Sequence, residues 1–594
     1  MLTNPLTRTH SLVYTAILMA AFGSTGFAAG SNVYIQHNLV ADRPGVADVT
    51  DPNLVNPWGM AESATSPFWI SDEATGVSTL YNGSGTIVSL VAKVPLASGA
   101  SGGTPTGQVN NTNTTVFLLP TGKAASFIFA TQDGTISGWA GGIPGNVAAI
   151  MVNNSASGAV YKGLAIGANG SGPLLYAANF NSGAIDVFDA KFNSTKVAGG
   201  FADPDLPPGM APFNIWALNG KLYVAYAVQD GAKRADVAGP GNGIVNVFDF
   251  DGNLVQHLIT KGGALNSPWG LAIAPSTFGA FAGNLLVGNF GDGKVNAFDT
   301  GTGALVGTLQ NANGAPIVIP GLWALLFGNG VSGGDKNTLY FTAGPNNQQD
   351  GLFGSLAPPA TILSVMNAAS YAAGSVAPGE AVVLSGLTLG PSPLAVATIP
   401  AIGQGRVSTT LGGTAVTFNG TPASILYTSA SQLSVLVPYE IAGSSTATIS
   451  VTYRGQTAST QVPVVATLPG VFTLNFSGTG QAVALNIDDS INGASNPASA
   501  GSVITLFATG EGMTNPPGED GTVNDRIIRE PQAGVSLNIG GMPATVIYAG
   551  TATGLVQGIL QVEALIPAGL TGTAPVVLTV GTASSQSGVT ISLK

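Results

Sequence analysis

The sequence predicts an all-β protein, a six-bladed β-propeller followed by two β-sandwich domains. Glycine occurs 83 times and proline 37 times in 594 residues. Residues that interrupt helices are therefore too frequent for helical bundles or doubly wound α/β folds. The N-terminal part repeats one strand pattern and the C-terminal part repeats another, and such internal repetition is typical of propellers and of tandem domains. Hydrophobic residues make up 45% of the chain, so there is enough apolar material for buried cores.

The N-terminal repeat has an opening motif, a strand of aromatic and β-branched residues, a glycine turn and a further strand. The spacing of Trp58, Trp269 and Trp323 corresponds to a repeat of about 53 residues, the length of a propeller blade. We expect Val33 to Leu39 to complete the sheet of the last blade and so close the ring. The six openings are Asn56–Ala61, Pro105–Gly107, Tyr161–Ala165, Pro212–Asn214, Ser267–Ala272 and Pro320–Trp323.

Three strings carry a family resemblance, "NPWGMA…FWISDEATGVSTLYN", "LLYAANFNSGAIDVFD" and "LLVGNFGDGKVNAFD". They resemble the NHL-type blade. Over residues 31–357 the chain resembles a family of uncharacterised secreted bacterial six-bladed propellers, related to streptogramin-lyase-like and gluconolactonase-like propellers. The resemblance implies the fold and leaves the chemistry open, because one fold hosts many functions.

The composition changes after Pro358 and Pro359. No tryptophan follows Trp323, and short alternating strands rich in Thr, Ser, Val and Ala repeat twice. The strings "NAASY", "FNGTPASILY", "QLSVLVP", "NPASAGSVITLFATGEG" and "IGGMPATVIYAG" resemble the paired Ig/IPT-like C-terminal module of secreted acidobacterial proteins. The resemblance implies two Ig-like β-sandwich domains, over 361–466 and 470–594, that act as a surface or adhesion-type spacer.

The N-terminus has the pattern of a signal peptide over residues 1–28. Arg8 precedes the apolar run Leu12 to Phe22, and small residues at Gly26 and Ala28 favour cleavage after Ala28. We therefore expect a secreted, extracellular or cell-surface protein with no transmembrane segment after signal cleavage. An uncleaved anchor is the alternative. The absence of cysteine fits a secreted bacterial protein that avoids thiol chemistry.

The charge balance argues against nucleic acid as a partner. The formal net charge is −11, and no basic run occurs that could neutralise a phosphate backbone.

The predicted ligand site lies on the propeller rim where the second strand of three blades ends, at Asp72, Asn179 and Asn289. Equivalent positions in a closed ring share a face, and convergent polar groups above a narrow tunnel suit a small ligand. Trp58 and Trp269 open two of the repeats and could hold a neutral polar ligand such as a carbohydrate or a protein segment. The alternatives are that the polar residues stabilise turns and that the tryptophans are core.

A metal ion is the cofactor that the resemblance suggests. Gluconolactonase-like propellers hold a divalent cation such as Ca²⁺ with carboxylate and amide oxygens on this rim, and Glu62 and Glu73 are expected nearby. The same residues are typical of hairpin turns, so the metal and its ligands stay unassigned.

No catalytic residue is predicted. Gly99–Gly103 and Gly330–Gly334 match G-x-S-x-G but lie in small-residue loops, without the strand and helix that a nucleophile elbow needs. His37 and His257 match no histidine base of the lyase-like propellers. The sequence thus favours a secreted binding or scaffold protein whose propeller recognition face stands on Ig-like spacer domains. The alternative is a metal-dependent lactonase- or lyase-like enzyme.

Overall fold

The repeated openings form the innermost strands of six consecutive β-sheets. The computed structural model describes residues 32–391, 394–524 and 527–594, so the predicted signal peptide lies outside the described residues. The chain divides into two compact units, one ending at Pro358 and the other beginning at Pro359. The prediction of an almost entirely β-structured chain with a β-propeller-like N-terminal unit is confirmed.

The strands of the first unit fall into six sheets, named first to sixth along the chain. The first two strands of the described chain belong to the sixth sheet: β1 (Ile35–Ala41) and β2 (Val49–Thr50). The first sheet has β3 (Pro57–Ala61), β4 (Phe68–Asp72), β5 (Val77–Tyr81) and β6 (Ile87–Lys93). The second has β7 (Pro105–Asn110), β8 (Phe127–Thr131), β9 (Thr135–Trp139) and β10 (Ala149–Asn153). The third has β11 (Tyr161–Asn169), β12 (Gly172–Asn179), β13 (Ala184–Asp189) and β14 (Ser194–Thr195).

The remaining sheets of this unit follow the same order. The fourth has β15 (Met210–Leu218), β16 (Lys221–Val228), β17 (Ile244–Phe248) and β18 (Leu254–Ile259). The fifth has β19 (Pro268–Ile273), β20 (Leu285–Asn289), β21 (Val295–Phe298) and β22 (Leu305–Thr308). The sixth has β23 (Leu322–Phe327), β24 (Leu339–Ala343) and β25 (Leu352–Ala357).

The inner strands of the six sheets form a closed ring. Each of β3, β7, β11, β15, β19 and β23 contacts the next inner strand, and β23 contacts β3. Every position of β3 and β4 is buried, whereas the outer strand β6 is mostly exposed. The inner side of the sheets is therefore covered, whereas their outer edge is open to solvent.

Glycine in the opening motif permits the close approach of neighbouring inner strands. A Cβ atom on Gly59 would lie 2.4 Å from the Thr106 carbonyl oxygen, and one on Gly270 would lie 2.6 Å from the Trp323 carbonyl oxygen. Any larger residue at these positions would push two sheets apart.

The N-terminal strand closes the ring. β1 pairs antiparallel with β25, from Ile35 opposite Ala357 to Ala41 opposite Leu352. The sixth sheet therefore has the order β2-β1-β25-β24-β23. In it, hydrogen bonds join the first strand of the unit to its last strand.

The second unit begins with two layers of strands over residues 361–463. Core side chains from both layers meet in one cluster, among them Val382 and Ile425 from one layer and Val416 and Ile449 from the other. One layer has β26 (Thr361–Asn367), β27 (Ala381–Leu387), β28 (Ala395–Val396), β32 (Ser424–Thr428) and β33 (Gln432–Leu436). The other has β29 (Thr410–Leu411), β30 (Thr414–Phe418), β31 (Thr421–Pro422), β34 (Thr446–Tyr453) and β35 (Gln456–Pro463).

The rest of the second unit is one ten-stranded sheet, with a two-stranded sheet beside it. Its strands are β36 (Gly470–Val471), β37 (Gly480–Gln481), β38 (Ala484–Asn486), β39 (Val503–Thr509), β42 (Val535–Ile539), β43 (Met542–Thr551), β44 (Ile559–Leu565), β45 (Gly572–Val580), β46 (Ala583–Ser584) and β47 (Val589–Leu593). The pair is β40 (Thr514–Asn515) and β41 (Glu530–Pro531). β43 pairs with β42 through Met542–Ala544 and with β44 through Thr545–Thr551. A strand that changes partners in this way turns a corner between packed layers.

The helical segments among the described residues are short. They lie at Pro144–Asn146, Ser155–Ser157, Gly279–Phe281, Pro345–Gln348 and Tyr439–Ile441. Across the described part of the chain, no helix has the length and apolar character that crossing a membrane requires.

Candidate functional site

The predicted rim residues share one edge of the ring. Asp72, Asn179 and Asn289 each end the second strand of a sheet, opposite Pro57, Tyr161 and Pro268 at the start of the inner strand. All three are buried, with exposed fractions of 0%, 6% and 0%. Their side chains are therefore not presented to solvent above the ring.

Each of these side chains bonds within its own sheet. The Oδ2 of Asp72 accepts hydrogen bonds from the backbone N–H and the hydroxyl of Thr79, at 3.0 and 2.8 Å. Burial raises the pKa of Asp72 well above its ordinary value, against the opposing effect of the Thr79 hydrogen bonds. Asn179 Nδ2 donates to Asp186 Oδ2 at 3.0 Å, and Asn289 Nδ2 donates to Asp292 Oδ1 at 3.0 Å. These contacts stabilise strand ends and turns, and a ligand role for the three residues stays a prediction.

The tryptophans of the opening motif pack against one another. Trp58 and Trp323 stack with ring centroids 3.6 Å apart, and Trp269 meets both edge-on at 6.1 and 5.9 Å. Phe213 adds an edge contact to Trp58, and Phe290 stacks on Trp323. Trp58 and Trp269 are only 2% and 1% exposed, so neither ring offers a free face to a ligand from solvent.

A β-bulge recurs at the same place in all six sheets. In each sheet a register shift against the second strand leaves one or two inner-strand residues unpaired, after the first paired position in five sheets and after the third in the fourth sheet. Bulges redirect side chains, and here they bring six side chains to equivalent places in the ring. The six residues are Trp58, Thr106, Lys162, Phe213, Trp269 and Trp323.

Lys162 is the charged member of this set. Its side chain is 4% exposed, and its Nζ lies 4.9 Å from the centroid of the Trp58 ring, a distance suited to a cation–π contact. Nζ also donates to Gln132 Oε1 at 2.5 Å. The sequence prediction missed this lysine, although its place in the repeat, where three other copies have tryptophan, was the available signal.

Hydrogen bonds extend from Lys162 across three sheets. Gln132 Nε2 donates to Glu73 Oε1 at 2.9 Å, and Asn56 Nδ2 donates to Glu73 Oε2 at 2.8 Å. Trp323 Nε1 donates to Asn56 Oδ1 at 3.1 Å, so the packed tryptophans are hydrogen-bonded to these polar side chains. We call Asn56, Glu73, Gln132 and Lys162 the axial network.

Further charges surround the network on the side of the fourth sheet. Burial lowers the pKa of Lys162 to about 8, while Asp236 and Glu73 act against this shift and Arg234 adds to it. Burial raises the pKa of Asp236, and Asp236 Oδ2 is buried without a hydrogen-bond partner among the described residues. Trp58 Nε1 is likewise buried and unpartnered there. Beside the network there are thus one donor and one acceptor that the described residues do not satisfy.

Glu62 does not lie beside Glu73, contrary to the expectation that both approach the same rim. Glu62 follows the last residue of β3 and Glu73 follows the last residue of β4. Because β3 and β4 are antiparallel, residues that follow their ends lie at opposite edges of the sheet.

His37 and His257 take no part in the axial network. His37 Nε2 is 2.8 Å from Asp48 Oδ2 in the sixth sheet. His257, on the outer strand β18, is 3.7 Å from both Asp203 and Asp205. Among the described residues these last three form the one group of His, Cys, Asp or Glu side chains close enough to hold a metal ion together, with ligand atoms within 4.8 Å. The group lies at the outer edge of the fourth sheet.

Comparison with known proteins shows relatives from a virus. The chain is 33% identical over 332 residues to the protein named "Uncharacterized protein R648" of Acanthamoeba polyphaga mimivirus, covering 54% of this chain and 78% of that protein. The chain belongs to the same family as this protein. "Uncharacterized protein L690" of the same virus is 32% identical over 329 residues, covering 54% of this chain and 84% of the relative. No family model matches the sequence.

Similar solved structures include a streptogramin B lyase and a nidogen/laminin complex. The lyase has 10% identity and a TM-score of 0.28, over 56% of this chain and 99% of that chain. The nidogen/laminin chain has 14% identity and a TM-score of 0.28, over 46% and 85%. Scores this low carry no argument about function. The resemblances to secreted bacterial propellers and to the acidobacterial module stay predictions.

Proposed function

We propose that this is a binding protein whose N-terminal unit, a six-bladed β-propeller, holds a carbohydrate at the axial network. Six sheets with inner strands in a closed ring support the blade count. We propose further that the second unit comprises two Ig-like domains that act as a spacer, supported by the two core-sharing layers of residues 361–463. Secretion rests on the predicted signal peptide alone.

The axial network is the observation that carries the proposal. Side chains from the first, second and third sheets meet there, and no single sheet could position them. Lys162 and Arg234 are donors, while Glu73 and Asp236 offer carboxylate acceptors beside them. A ligand that both donates and accepts hydrogen bonds through neighbouring atoms fits such a mixture, and sugar hydroxyls do both.

The buried tryptophans determine how the sugar would be held. Lys162 covers Trp58, and Trp323 covers its other side, so stacking of a sugar ring on these faces is not available. Recognition would therefore depend on charge-assisted hydrogen bonds. The unpartnered Asp236 Oδ2 and Trp58 Nε1 are further groups that a ligand could satisfy.

An oligosaccharide array probed with the purified full chain tests the proposal. Each oligosaccharide retained is then titrated calorimetrically with the parent, with Lys162→Met and with Lys221→Met. Lys221 begins β16 with an exposed side chain, so its substitution removes the same charge elsewhere in the unit. A hydrogen bond from a charged donor is worth about 1.5–3 kcal/mol, so Lys162→Met should weaken binding roughly 10- to 100-fold.

Two results would overturn the proposal. One is an array on which no oligosaccharide is retained. The other is a sugar that Lys162→Met binds as tightly as the parent does. A peptide bound in place of sugar, with loss on Lys162→Met, would keep the axial site and replace the ligand class.

A further inference from the structure

A cavity of about 300 Å³ lies at the other end of the inner strands, away from the axial network. It is lined mainly by residues in or just after the second halves of five inner strands, β3, β7, β11, β15 and β23. We call it the distal cavity. Its volume is at the lower end of the range for small-molecule sites, about 300–1,000 Å³. Its walls include Glu62, Val109, Ile166, Trp216 and Leu326.

Most of the wall is apolar. Val109, Ile166 and Leu326 come from the second, third and sixth sheets, and none of them is fully exposed. Trp216, on β15, is half-buried and is the aromatic residue among the cavity-lining residues. Unlike Trp58 and Trp269, this indole is part of an open wall and can contact a ligand.

Glu62 is the ionisable residue among those that line the cavity. It is half-buried, and its Oε2 is buried without a hydrogen-bond partner among the described residues. A buried carboxyl oxygen without a partner is costly to a protein. Because Glu62 lines the cavity, a ligand there that supplies a donor can pair with its carboxyl group.

We propose that the distal cavity binds a small organic cation, an apolar amine whose ammonium group pairs with Glu62 and whose body packs against Trp216. The one ionisable group among the lining residues is a carboxyl, which can become the counter-ion of a cationic ligand but offers none to an anionic ligand. A neutral apolar ligand would fill the cavity but leave the Glu62 oxygen unpaired. A cation with an apolar body satisfies the carboxylate, the indole face and the apolar walls together.

The protonation state of Glu62 predicts a second measurable effect of binding, the release of protons. Burial raises the pKa of Glu62 to about 8, and a hydrogen bond at the Asn329 backbone acts in the opposite direction. At about pH 7 the empty cavity therefore holds a mainly protonated carboxyl. Pairing with an ammonium would ionise it, so binding should release protons to the buffer.

Benzylamine, benzyl alcohol and benzoate form a matched set of probes with one ring and a positive, neutral or negative head. Each is titrated calorimetrically into the full chain at about pH 7, in two buffers of different ionisation enthalpy. We expect benzylamine to bind at least tenfold more tightly than benzyl alcohol, benzoate not to bind, and the benzylamine heat to depend on the buffer. Glu62→Gln should reduce the preference for the amine at least tenfold, and Trp216→Leu should weaken both ligands that bind.

Two control variants make the outcome specific. Asp205→Asn removes an acidic group that is 81% exposed, and it should leave amine binding unchanged. Lys162→Met alters the axial network alone, so unchanged amine binding there separates this site from the proposed carbohydrate site. If Glu62→Gln does not fold, Trp216→Leu and the buffer dependence of the benzylamine heat still test whether the amine binds in the distal cavity.

The proposal is overturned if benzylamine does not bind at millimolar concentration. It is equally overturned by an amine that binds no better than the alcohol, or by benzoate as the preferred probe. If neither Glu62→Gln nor Trp216→Leu changes the affinity for benzylamine, the amine binds elsewhere on the chain and the proposal is wrong.

Discussion

The two units of the chain bury charged side chains in different surroundings. In the first unit, Lys162 bonds to Gln132 of the second sheet, and that chain of bonds continues to Glu73 of the first. In the second unit, Glu380 accepts from Asn367 Nδ2 at 2.8 Å and from the Ala377 backbone N–H at 2.7 Å. The lysine thus depends on several sheets, whereas the glutamate is satisfied by residues close to it in sequence.

The partners of a buried charged side chain indicate whether it has a structural role or is suited to ligand binding. A locally satisfied carboxyl such as Glu380 fixes the backbone around it and leaves no group for a ligand. The axial network exists only when the first three sheets pack together, and it has unpartnered atoms on Asp236 and Trp58 beside it. We therefore assign recognition to the first unit and expect substitutions in the second to change stability.

The largest expected effect is a pH dependence of the second unit. Burial raises the pKa of Glu380 from 4.5 to about 8, against the effect of its hydrogen bonds from Ala377 and Asn367. Between these values the folded state binds more protons than the unfolded state, so the free energy of unfolding falls as pH rises from about 4.5 to about 8. At about 1.4 kcal/mol for each pKa unit, the loss amounts to several kcal/mol.

Glu380→Gln mimics the protonated carboxyl and should reduce this dependence, with a remainder from Glu511, whose pKa burial also raises to about 8. The measurement is hydrogen exchange in peptides from residues 361–463 at increasing urea, near pH 5 and near pH 8. Glu530→Gln, at an exposed position of β41, is the control and should keep the parent slope. An unchanged slope in Glu380→Gln would contradict the assignment of a neutral buried carboxyl.

Trp323→Ala should destabilise the first unit by about 3–5 kcal/mol, the usual cost of removing a large buried aromatic side chain. It removes the stacking with Trp58 and Phe290 and the hydrogen bond to Asn56. Urea unfolding followed by circular dichroism measures the loss. Trp216→Ala, at a half-buried position, should cost less, and equal losses would show that the three-tryptophan cluster has no special role.

Asp72→Ala should lower the stability of the first unit by about 1–3 kcal/mol, because it leaves the buried Thr79 N–H without its acceptor. Asp72→Asn retains an oxygen acceptor and should cost less. Thermal unfolding of the two variants gives the comparison. If Asp72→Ala is as stable as the parent and instead loses a ligand, the turn role is wrong and the original site prediction is restored.

The sequence allowed the repeat to be recognised but not the site. Regular spacing of Trp58, Trp269 and Trp323 predicts the inner strands, because a closed ring imposes the same packing on each copy. Lys162 occupies the same repeat position. Its role in the axial network depends on Gln132 and Asp236, which lie in turns of unequal length. No period governs those turns, so their convergence is visible only in the folded ring.

The distal cavity was missed for a related reason. Glu62 and Glu73 are close in sequence, and only the antiparallel pairing of β3 with β4 separates them to opposite edges. The rim residues Asp72, Asn179 and Asn289 were placed on the expected face, but their burial depends on side-chain packing that strand spacing does not report.

A crystal structure of the full chain grown with an oligosaccharide retained on the array is the most direct test of the central claim. We expect sugar hydroxyls within hydrogen-bond distance of Lys162 Nζ and of the Glu73 or Asp236 carboxylate, on the face where the inner strands begin. A sugar bound to the outer strands of the sheets or to residues 359–594, with the axial network unchanged and free of ligand, would contradict it.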